Sequence, residues 1–168
     1  MKIQIKLGNF KSEMAAAGYI LIGSGNDALV YARSGENTCI KIVEISESTA
    51  LREWTKWSSK HRSNHYVKVH SVEEIRYANR LHLQIVMDRC TPISAKEKAR
   101  IKKWWKSVKP SDFKKIPEED TFENATLRAV RIGEKRGFRE DIIGNDESVE
   151  NIMKHAGVLV VVDPWSEY

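Results

Sequence analysis

The sequence predicts an α+β fold, with an antiparallel five-stranded sheet and one helix in the first half and a mostly helical second half that ends in a hairpin. Three observations lead to this prediction. Short apolar or alternating runs separated by turn residues fill 18–43 and 67–87. Capped segments with helical periodicity follow at 94–108 and 122–136. A β-branched run at 158–162 then follows a turn signal.

Composition agrees with a folded protein that does not cross a membrane. The 168 residues suit one domain or two small lobes, and 41% are hydrophobic and 30% charged. No apolar run reaches the length of a membrane span, so we expect a cytoplasmic protein. Cys39 and Cys90 lack metal-ligand spacing and are expected to be free buried thiols. The net charge of +5 permits acidic partners but does not require them.

The first motif is a glycine-rich turn between two strands. Gly23-Ser24-Gly25 precedes Ala28-Leu-Val30. A dinucleotide-binding fold would need this turn to open a helix, and a strand follows instead. An ordinary hairpin turn is the alternative to a phosphate loop.

Lys41 interrupts the apolar run 39–43. By strand alternation it shares a face with Cys39 and Val43, which we expect to be the buried face. A lysine there needs a negative partner, because an unpaired buried ammonium is costly. A snorkelling edge-strand lysine is the alternative.

A helix is predicted over 49–58, with Ser46 as its cap. Glu53 lies beside the stripe formed by Leu51, Trp54 and Trp57 and is the acid that we pair with Lys41. Glu47 is the competitor, and a first-turn acid is already explained by the helix dipole. A solvated helix face is the alternative for Glu53.

Two antiparallel strands are predicted at 67–72 and 81–87, joined by a polar turn at 73–80. A basic helix then begins after Ser94. Between residues 96 and 115 there are nine Lys or Arg and two acids. Such a segment can bind nucleic acid, but a charged outer face over apolar packing is the favoured interpretation.

The hairpin at 152–162 is predicted to hold Asn151 and Asp163 at the same end, with Asp146 on the loop before it. An Asp with an Asn five positions on, then a strand and a second Asp, is the spacing that holds Mg²⁺ against nucleotide phosphates beside a catalytic base.

Together these motifs resemble the protein-kinase fold, in a minimal bilobal form. The motifs Asn151-Ile-Met and Asp163-Pro-Trp are similar to those of the small serine/threonine kinases of podovirus-type bacteriophages. The resemblance implies an N-lobe over 1–90 and a reduced C-lobe over 91–168. It implies a hinge at 87–91.

The resemblance also implies a role for each site residue. Asp146 would orient the acceptor hydroxyl, Lys41 would hold the α/β-phosphates of ATP and Glu53 would brace it. Asn151 and Asp163 would hold Mg²⁺. The nucleotide would be covered by the glycine loop and contacted along the hinge, by Gly23, Ser24, Gly25, Ala28, Val30, Met87, Asp88 and Cys90.

Departures from the family pattern define the alternatives. Gly144-Asn145 replaces His-Arg before Asp146, Ser148 replaces the usual Lys, and the chain ends just past Asp163 without an activation loop. If the chain is an active kinase of this family, the resemblance implies that it phosphorylates host proteins in the host cytoplasm, in host takeover or anti-defence. One rival is a pseudokinase that inhibits a host protein by binding it. The other is a basic domain that binds nucleic acid or RNA polymerase.

Overall fold

The computed structural model describes residues 10–24, 28–44, 49–77, 79–140, 149 and 151–166. These residues form an α+β architecture with a five-stranded antiparallel sheet, which confirms the predicted fold class. The chain divides into two units by its internal contacts. The first contains residues 1–49 and 68–89, and the second contains residues 50–67 and 90–168.

The first unit is the five-stranded sheet with a short helix. Helix α1 (Phe10–Ala16) precedes the sheet strands. They are β1 (Ile20–Ser24), β2 (Ala28–Ala32), β3 (Thr38–Glu44), β4 (Val69–Tyr77) and β5 (Arg80–Asp88). Their order is β1-β2-β3-β5-β4, so β3 and β5 are interior strands.

Strand alternation gives this sheet two different faces. On one face, Ile40 and Ile42 of β3 pack with Met14, Tyr19 and Tyr31 in a buried cluster. We call this the outer face. Side chains at the alternate positions, including Lys41, point to the opposite face, which we call the inner face.

Strand β4 is longer than the sequence indicated. It continues to Tyr77, and β5 begins at Arg80, so the turn predicted at 73–80 is wrong. Residues 69–77 alternate between half-buried and exposed, which is the pattern of a strand with one covered face and one solvent-facing face, and β4 lies at the edge of the sheet. The connection is short, and Asn79 adopts a left-handed φ of 66° within it.

The second unit carries the other helices. They are α2 (Thr49–Ser58), which belongs to this unit from Ala50 onward, α3 (Ala95–Ser107) and α4 (Phe122–Lys135). The resemblance to kinases implied that the helix containing Glu53 belongs to a lobe spanning 1–90. By internal contacts, that helix groups with the second unit.

Both later helices lie within one residue of their predicted bounds, 94–108 and 122–136. Ser94 caps α3 in a capping box with Glu97, and Thr121 caps α4 by accepting from the Asn124 N–H. Gly137 follows α4 with a left-handed φ of +82°, as a C-terminal stop requires.

Short strands complete the second unit. Strand β6 (Thr91–Pro92) pairs with β8 (Ile152–His155), which pairs with β9 (Val158–Val161). Strand β7 (Arg139–Glu140) pairs with β10 (Trp165–Ser166). The predicted hairpin is confirmed, since His155 lies opposite Val158 across a two-residue turn. Ala156 and Gly157 both have positive φ, as a type I′ turn demands.

Candidate active site

Lys41 lies in a row of side chains that crosses three strands of the first unit. Its register partners are Val30 on β2 and Ile85 on β5. Cys39 and Val43, two residues away on either side, are buried, and Lys41 itself is half-buried. The predicted placement of Lys41 on the apolar inner face is therefore confirmed.

A second row on the inner face lies beside the first. Cys39 pairs with Ala32 on β2 and with Met87 on β5, and all three side chains are buried. Burial raises the pKa of the Cys39 thiol to about 11, so it is not a nucleophile at neutral pH. The two rows make an apolar surface with one cation, and sequence analysis missed the contribution of Ile85 to it.

The glycine-rich motif lies on a hairpin. Gly23 pairs with Val30 and Ser24 pairs with Leu29, with an irregularity in the register between Leu21 and Gly23. Ala28 opens β2 and lies opposite Val43 of β3. Gly25 lies outside the described residues. The strand-to-helix geometry of a dinucleotide fold is absent from this motif, as the sequence predicted.

Gly23 has no conformational need to be glycine. A Cβ built at this position would be 3.7 Å from the Val30 Cβ, which is ordinary contact, and its φ is not left-handed. The local fold would thus accept alanine here.

Two residues of the predicted hinge, Asp88 and Arg89, form backbone hydrogen bonds. The N–H of Asp88 donates to the Lys68 carbonyl at 2.9 Å, and the N–H of Arg89 donates to the Asn37 carbonyl at 2.7 Å. The Asp88 carboxylate is 2.8 Å from Nε2 of His70. Both N–H groups therefore donate to backbone carbonyls of the first unit. Cys90 is half-buried, so the expectation that both cysteines are buried is wrong for this one.

In the second unit, Asn151 and Asp163 lie at the same end of the β8–β9 hairpin. The Val162 N–H donates to the Asn151 carbonyl at 2.8 Å, which extends the ladder by one pair and places Asp163 next to it. Asp163 is half-buried and its Oδ1 is shielded from solvent. Asp146 lies outside the described residues.

The conformation of Asn151 supplies a structural reason for its identity. Its φ of 55° is left-handed, and asparagine tolerates this region better than most residues. A ligand role and a turn role therefore both explain this residue.

Two tryptophans anchor the backbone around Asp163. Nε1 of Trp54, on α2, donates to the Val162 carbonyl at 2.7 Å. Nε1 of Trp165 donates to the Ala129 carbonyl of α4 at 2.8 Å. Gly133 allows this second contact, because a Cβ there would collide with the Trp165 indole. The sequence predicted Trp54 in an apolar helix stripe, but not its bond to Val162, nor the roles of Trp165 and Gly133. An isolated glycine inside a helical pattern was the available signal for Gly133.

Glu53 has two cationic partners in the second unit. Its Oε2 accepts from Nη1 of Arg136 at 2.6 Å, and its Oε1 accepts from Nζ of Lys56 at 3.1 Å. The hydrogen bond from Lys56, with the charge of Arg136, holds the pKa of Glu53 below its usual value. Its pairing with Lys41 stays a prediction.

The donor set at the hairpin end suits a hard cation. A carboxylate and a carboxamide supply oxygen ligands, which Mg²⁺ prefers. Within the described ranges, no group of three or more His, Cys, Asp and Glu side chains forms a metal site. Asn151 and Asp163 fit Mg²⁺ as a pair that needs further oxygens from water or phosphate.

The basic helix α3 is mostly solvent-facing. Ile101 is buried, while Trp104, Trp105 and Val108 are half-buried, so the predicted inward side is confirmed in part. The Glu97 carboxylate accepts from the Ser94 N–H in the capping box, and its Oε1 lies 2.6 Å from Nζ of Lys154. The exposed cations are Lys96, Lys98, Arg100, Lys103 and Lys106.

Comparison with known proteins gives a structural likeness alone. No protein-family model matches the chain, and no curated protein matches it significantly. Two solved structures of the kinase domain of Mycobacterium tuberculosis PknI are similar to it, each at 18% identity and covering 88% of this chain. The TM-scores are 0.42 and 0.41. The chain spans 58% and 59% of the length of those two structures.

No helix in the described part of the chain is both long and apolar enough to span a bilayer.

Proposed function

We propose that this chain is an ATP-dependent kinase that transfers the γ-phosphate to a serine or threonine hydroxyl of a host protein. One observation carries the proposal. Lys41 lies on an apolar sheet face between Val30 and Ile85, one strand away from a glycine hairpin whose Gly23 the fold does not require. A cation on an apolar surface beside a glycine turn suits a ligand with an apolar ring and an anionic tail.

In the first unit, each nucleotide part has a matching group. Val30, Met87 and Ile85 offer an apolar surface to the base, and Lys41 offers a point charge to the α/β-phosphates. The N–H groups of Asp88 and Arg89 donate to carbonyls within this unit, and the Asp88 carbonyl accepts from the Cys39 thiol at 3.8 Å, so the proposed contact of the base with the backbone at 88–90 does not use these two N–H groups.

In the second unit, the hairpin end supplies the metal ligands. Asn151 and Asp163 would hold Mg²⁺, which neutralises phosphate charge when bound. Asp146 would orient the acceptor hydroxyl, a role carried over from the resemblance to kinases. Trp54 and Trp165 act as positioning residues, because their indoles fix the backbone on either side of Asp163.

Label transfer from γ-labelled ATP with Mg²⁺ to a mixture of host proteins tests the proposal. Lys41→Met removes the cation and keeps the length of the side chain, and we expect a loss of about 10²-fold or more. Lys68→Met is the matched control, since Lys68 is an exposed lysine of the same unit. Equal activity in the two variants would overturn the assignment of Lys41. Acid hydrolysis of the labelled product identifies the modified hydroxyl.

Protection of Cys90 from alkylation tests nucleotide binding without any transfer. ATP should slow the modification of Cys90, because the proposal seats the base against its backbone. Cys39 is an internal control, since it is buried with a raised pKa. Unchanged alkylation of Cys90 at saturating ATP and Mg²⁺ would contradict the hinge assignment.

Three substitutions separate the two explanations of Asn151. Asn151→Asp keeps an oxygen ligand and tolerates a left-handed φ, and Asn151→Gly keeps the backbone but removes the ligand. Asn151→Ala also strains the backbone, by about 1 kcal/mol. We expect transfer to survive in Asp and fail in Gly at equal stability. Full activity in the Gly variant would leave Asn151 a turn residue.

A second candidate function is nucleotide binding without transfer, and the environment of Glu53 favours it. Arg136 and Lys56 hold both carboxylate oxygens of the glutamate assigned to brace Lys41. Under this alternative, ATP raises the melting temperature but no label is transferred, and Arg136→Ala does not restore transfer. Salt-sensitive binding to DNA or RNA with no effect of nucleotide would instead favour α3 as the functional surface.

A further inference from the structure

A cavity of about 500 Å³ opens on the outer face of the sheet in the first unit. Its lining includes Arg33, Glu36, Ile40, Glu73, Gln84 and Val86. Ile40 and Val86 are register partners, and Ile40 adjoins Lys41 in the chain, so the two side chains point to opposite faces of β3. This outer-face cavity is therefore separate from the surface assigned to the nucleotide.

Gln84 is the unexplained group in this cavity. It lies on the interior strand β5 and is 3% exposed, and its Oε1 accepts no hydrogen bond from the described residues. A buried acceptor without a hydrogen-bond partner destabilises the folded state. An apolar residue would pack on this face as well, since its neighbours Ile40 and Ile42 are apolar. The carboxamide is a polar group beside these apolar neighbours, and a bound hydrogen-bond donor would satisfy its Oε1.

The register places a carboxylate directly beside that acceptor. Glu73 on β4 pairs with Gln84 on β5, and its side chain is half-buried. The pair therefore presents acceptor oxygens from two neighbouring strands to the same cavity.

The other charged or titratable groups of the lining, Arg33, Glu36 and His70, have partners of their own. Nε and Nη2 of Arg33 donate to the Ala17 carbonyl at 2.8 and 2.6 Å, and its guanidinium lies 4.3 Å above the Tyr19 ring. Its Nη1 is 3.5 Å from Glu36. Nε2 of His70 is 2.8 Å from Asp88. Glu73 is then the carboxylate that leaves the lining with an excess of negative charge.

We propose that the outer-face cavity binds a small organic cation. Its ammonium or guanidinium group donates to the Glu73 carboxylate and to Oε1 of Gln84, and its methylene chain lies on Ile40 and Val86. Both groups are donors without acceptor capacity, which matches two acceptors and a net negative lining. The cavity volume falls in the range of about 300–1,000 Å³ that is typical of small-molecule sites.

Titration calorimetry of the full chain with putrescine and with agmatine tests this inference. These probes carry an alkylammonium, and agmatine adds a guanidinium, while 1,4-butanediol is the neutral analogue of putrescine. We expect saturable binding of at least one cation and none of the diol. Failure of both cations to bind saturably would overturn the proposal.

Glu73→Gln should weaken binding about tenfold or more, because a hydrogen bond to a charged group is worth about 1.5–3 kcal/mol. Glu74→Gln is the matched control, since it removes the same charge from the adjacent, exposed position on the other face of β4. Equal weakening in both variants would show non-specific attraction to the net charge and would overturn the site.

Gln84→Leu adds a readout of stability. We expect weaker cation binding together with a melting temperature that is unchanged or higher, because an unsatisfied buried polar group is removed. Undiminished binding in this variant would contradict the role of Gln84. If the variant does not fold, Glu73→Gln and its control still decide the proposal.

Discussion

Lys41 in the first unit takes its position from strand pairing, whereas Asp163 in the second unit takes its position from two tryptophans. Lys41 lies between register partners on β2 and β5. Because side chains alternate between the two faces of a strand, its position in the strand decides the face on which it lies. The backbone around Asp163 is held by directed N–H donors, from Trp54 to Val162 and from Trp165 to Ala129. A repeating pattern tolerates small changes at any one position, while a few directed contacts do not.

This contrast predicts that the largest loss of stability follows truncation of Trp54. Trp54 is fully buried and contacts the rings of Trp57, Tyr66 and Trp165. We expect Trp54→Ala to lower the free energy of unfolding by about 3–5 kcal/mol, measured by denaturant titration. Ile85→Val, on the equally buried inner face of the sheet, should cost about 0.5–1.5 kcal/mol. Similar costs for Trp54→Ala and Ile85→Val would contradict the comparison.

Gly133→Ala should destabilise the protein by about 1–3 kcal/mol through a collision with the Trp165 indole. The sign is the reverse of the usual effect, because alanine normally favours a helix interior over glycine by about 0.5–1 kcal/mol. Adding Trp165→Phe should remove most of the extra cost. If Gly133→Ala is stabilising in the native background, the close packing of Trp165 on α4 is refuted.

Acid should remove a contact that holds α3 within the second unit. The Lys154 ammonium and the Ser94 hydroxyl and N–H lower the pKa of Glu97 to about 2. A depressed carboxylate pKa stabilises the folded state fully above the unfolded value near 4.5, and this stabilisation is lost as pH falls towards 2.

Glu97→Gln isolates that charge, because glutamine can also close a capping box. The variant should be less stable than the native chain at pH 7, and the difference should vanish near pH 2 in unfolding curves recorded along the pH scale. A difference that is constant with pH would point to lost hydrogen-bond geometry rather than lost charge.

The smallest effect on stability is expected at Gly23. Gly23→Ala should change the free energy of unfolding by about 0.5 kcal/mol or less, since the new Cβ would meet only ordinary contact with Val30. Nucleotide-dependent thermal stabilisation should nevertheless fall, because the proposal brings phosphates close to this backbone. Unchanged nucleotide stabilisation would make Gly23 an ordinary hairpin residue.

The sequence predicted what depends on periodicity and local turn chemistry. The inner-face position of Lys41, the Ser94 and Gly137 helix ends and the turn at 156–157 all follow from such local rules. The turn assigned to 73–80 was wrong because polar residues on a half-exposed edge strand look like loop residues.

Contacts between segments distant in the chain could not be predicted in the same way. Trp54 and Val162 are 108 residues apart, and nothing in either local sequence identifies the other. The same holds for Arg136 and Glu53, 83 residues apart, where the sequence offered Lys41 as the partner of the glutamate. The roles of Asp146 and Gly25 stay predictions, since both lie outside the described residues.

The uneven distribution of indoles gives the two units separate optical signals. All five tryptophans, at positions 54, 57, 104, 105 and 165, belong to the second unit, and the sheet has none. Intrinsic fluorescence excited at the red edge of indole absorption would therefore follow the melting of one unit alone, while far-ultraviolet dichroism would follow both. A gap between the two melting curves would measure how independently the halves of the chain unfold.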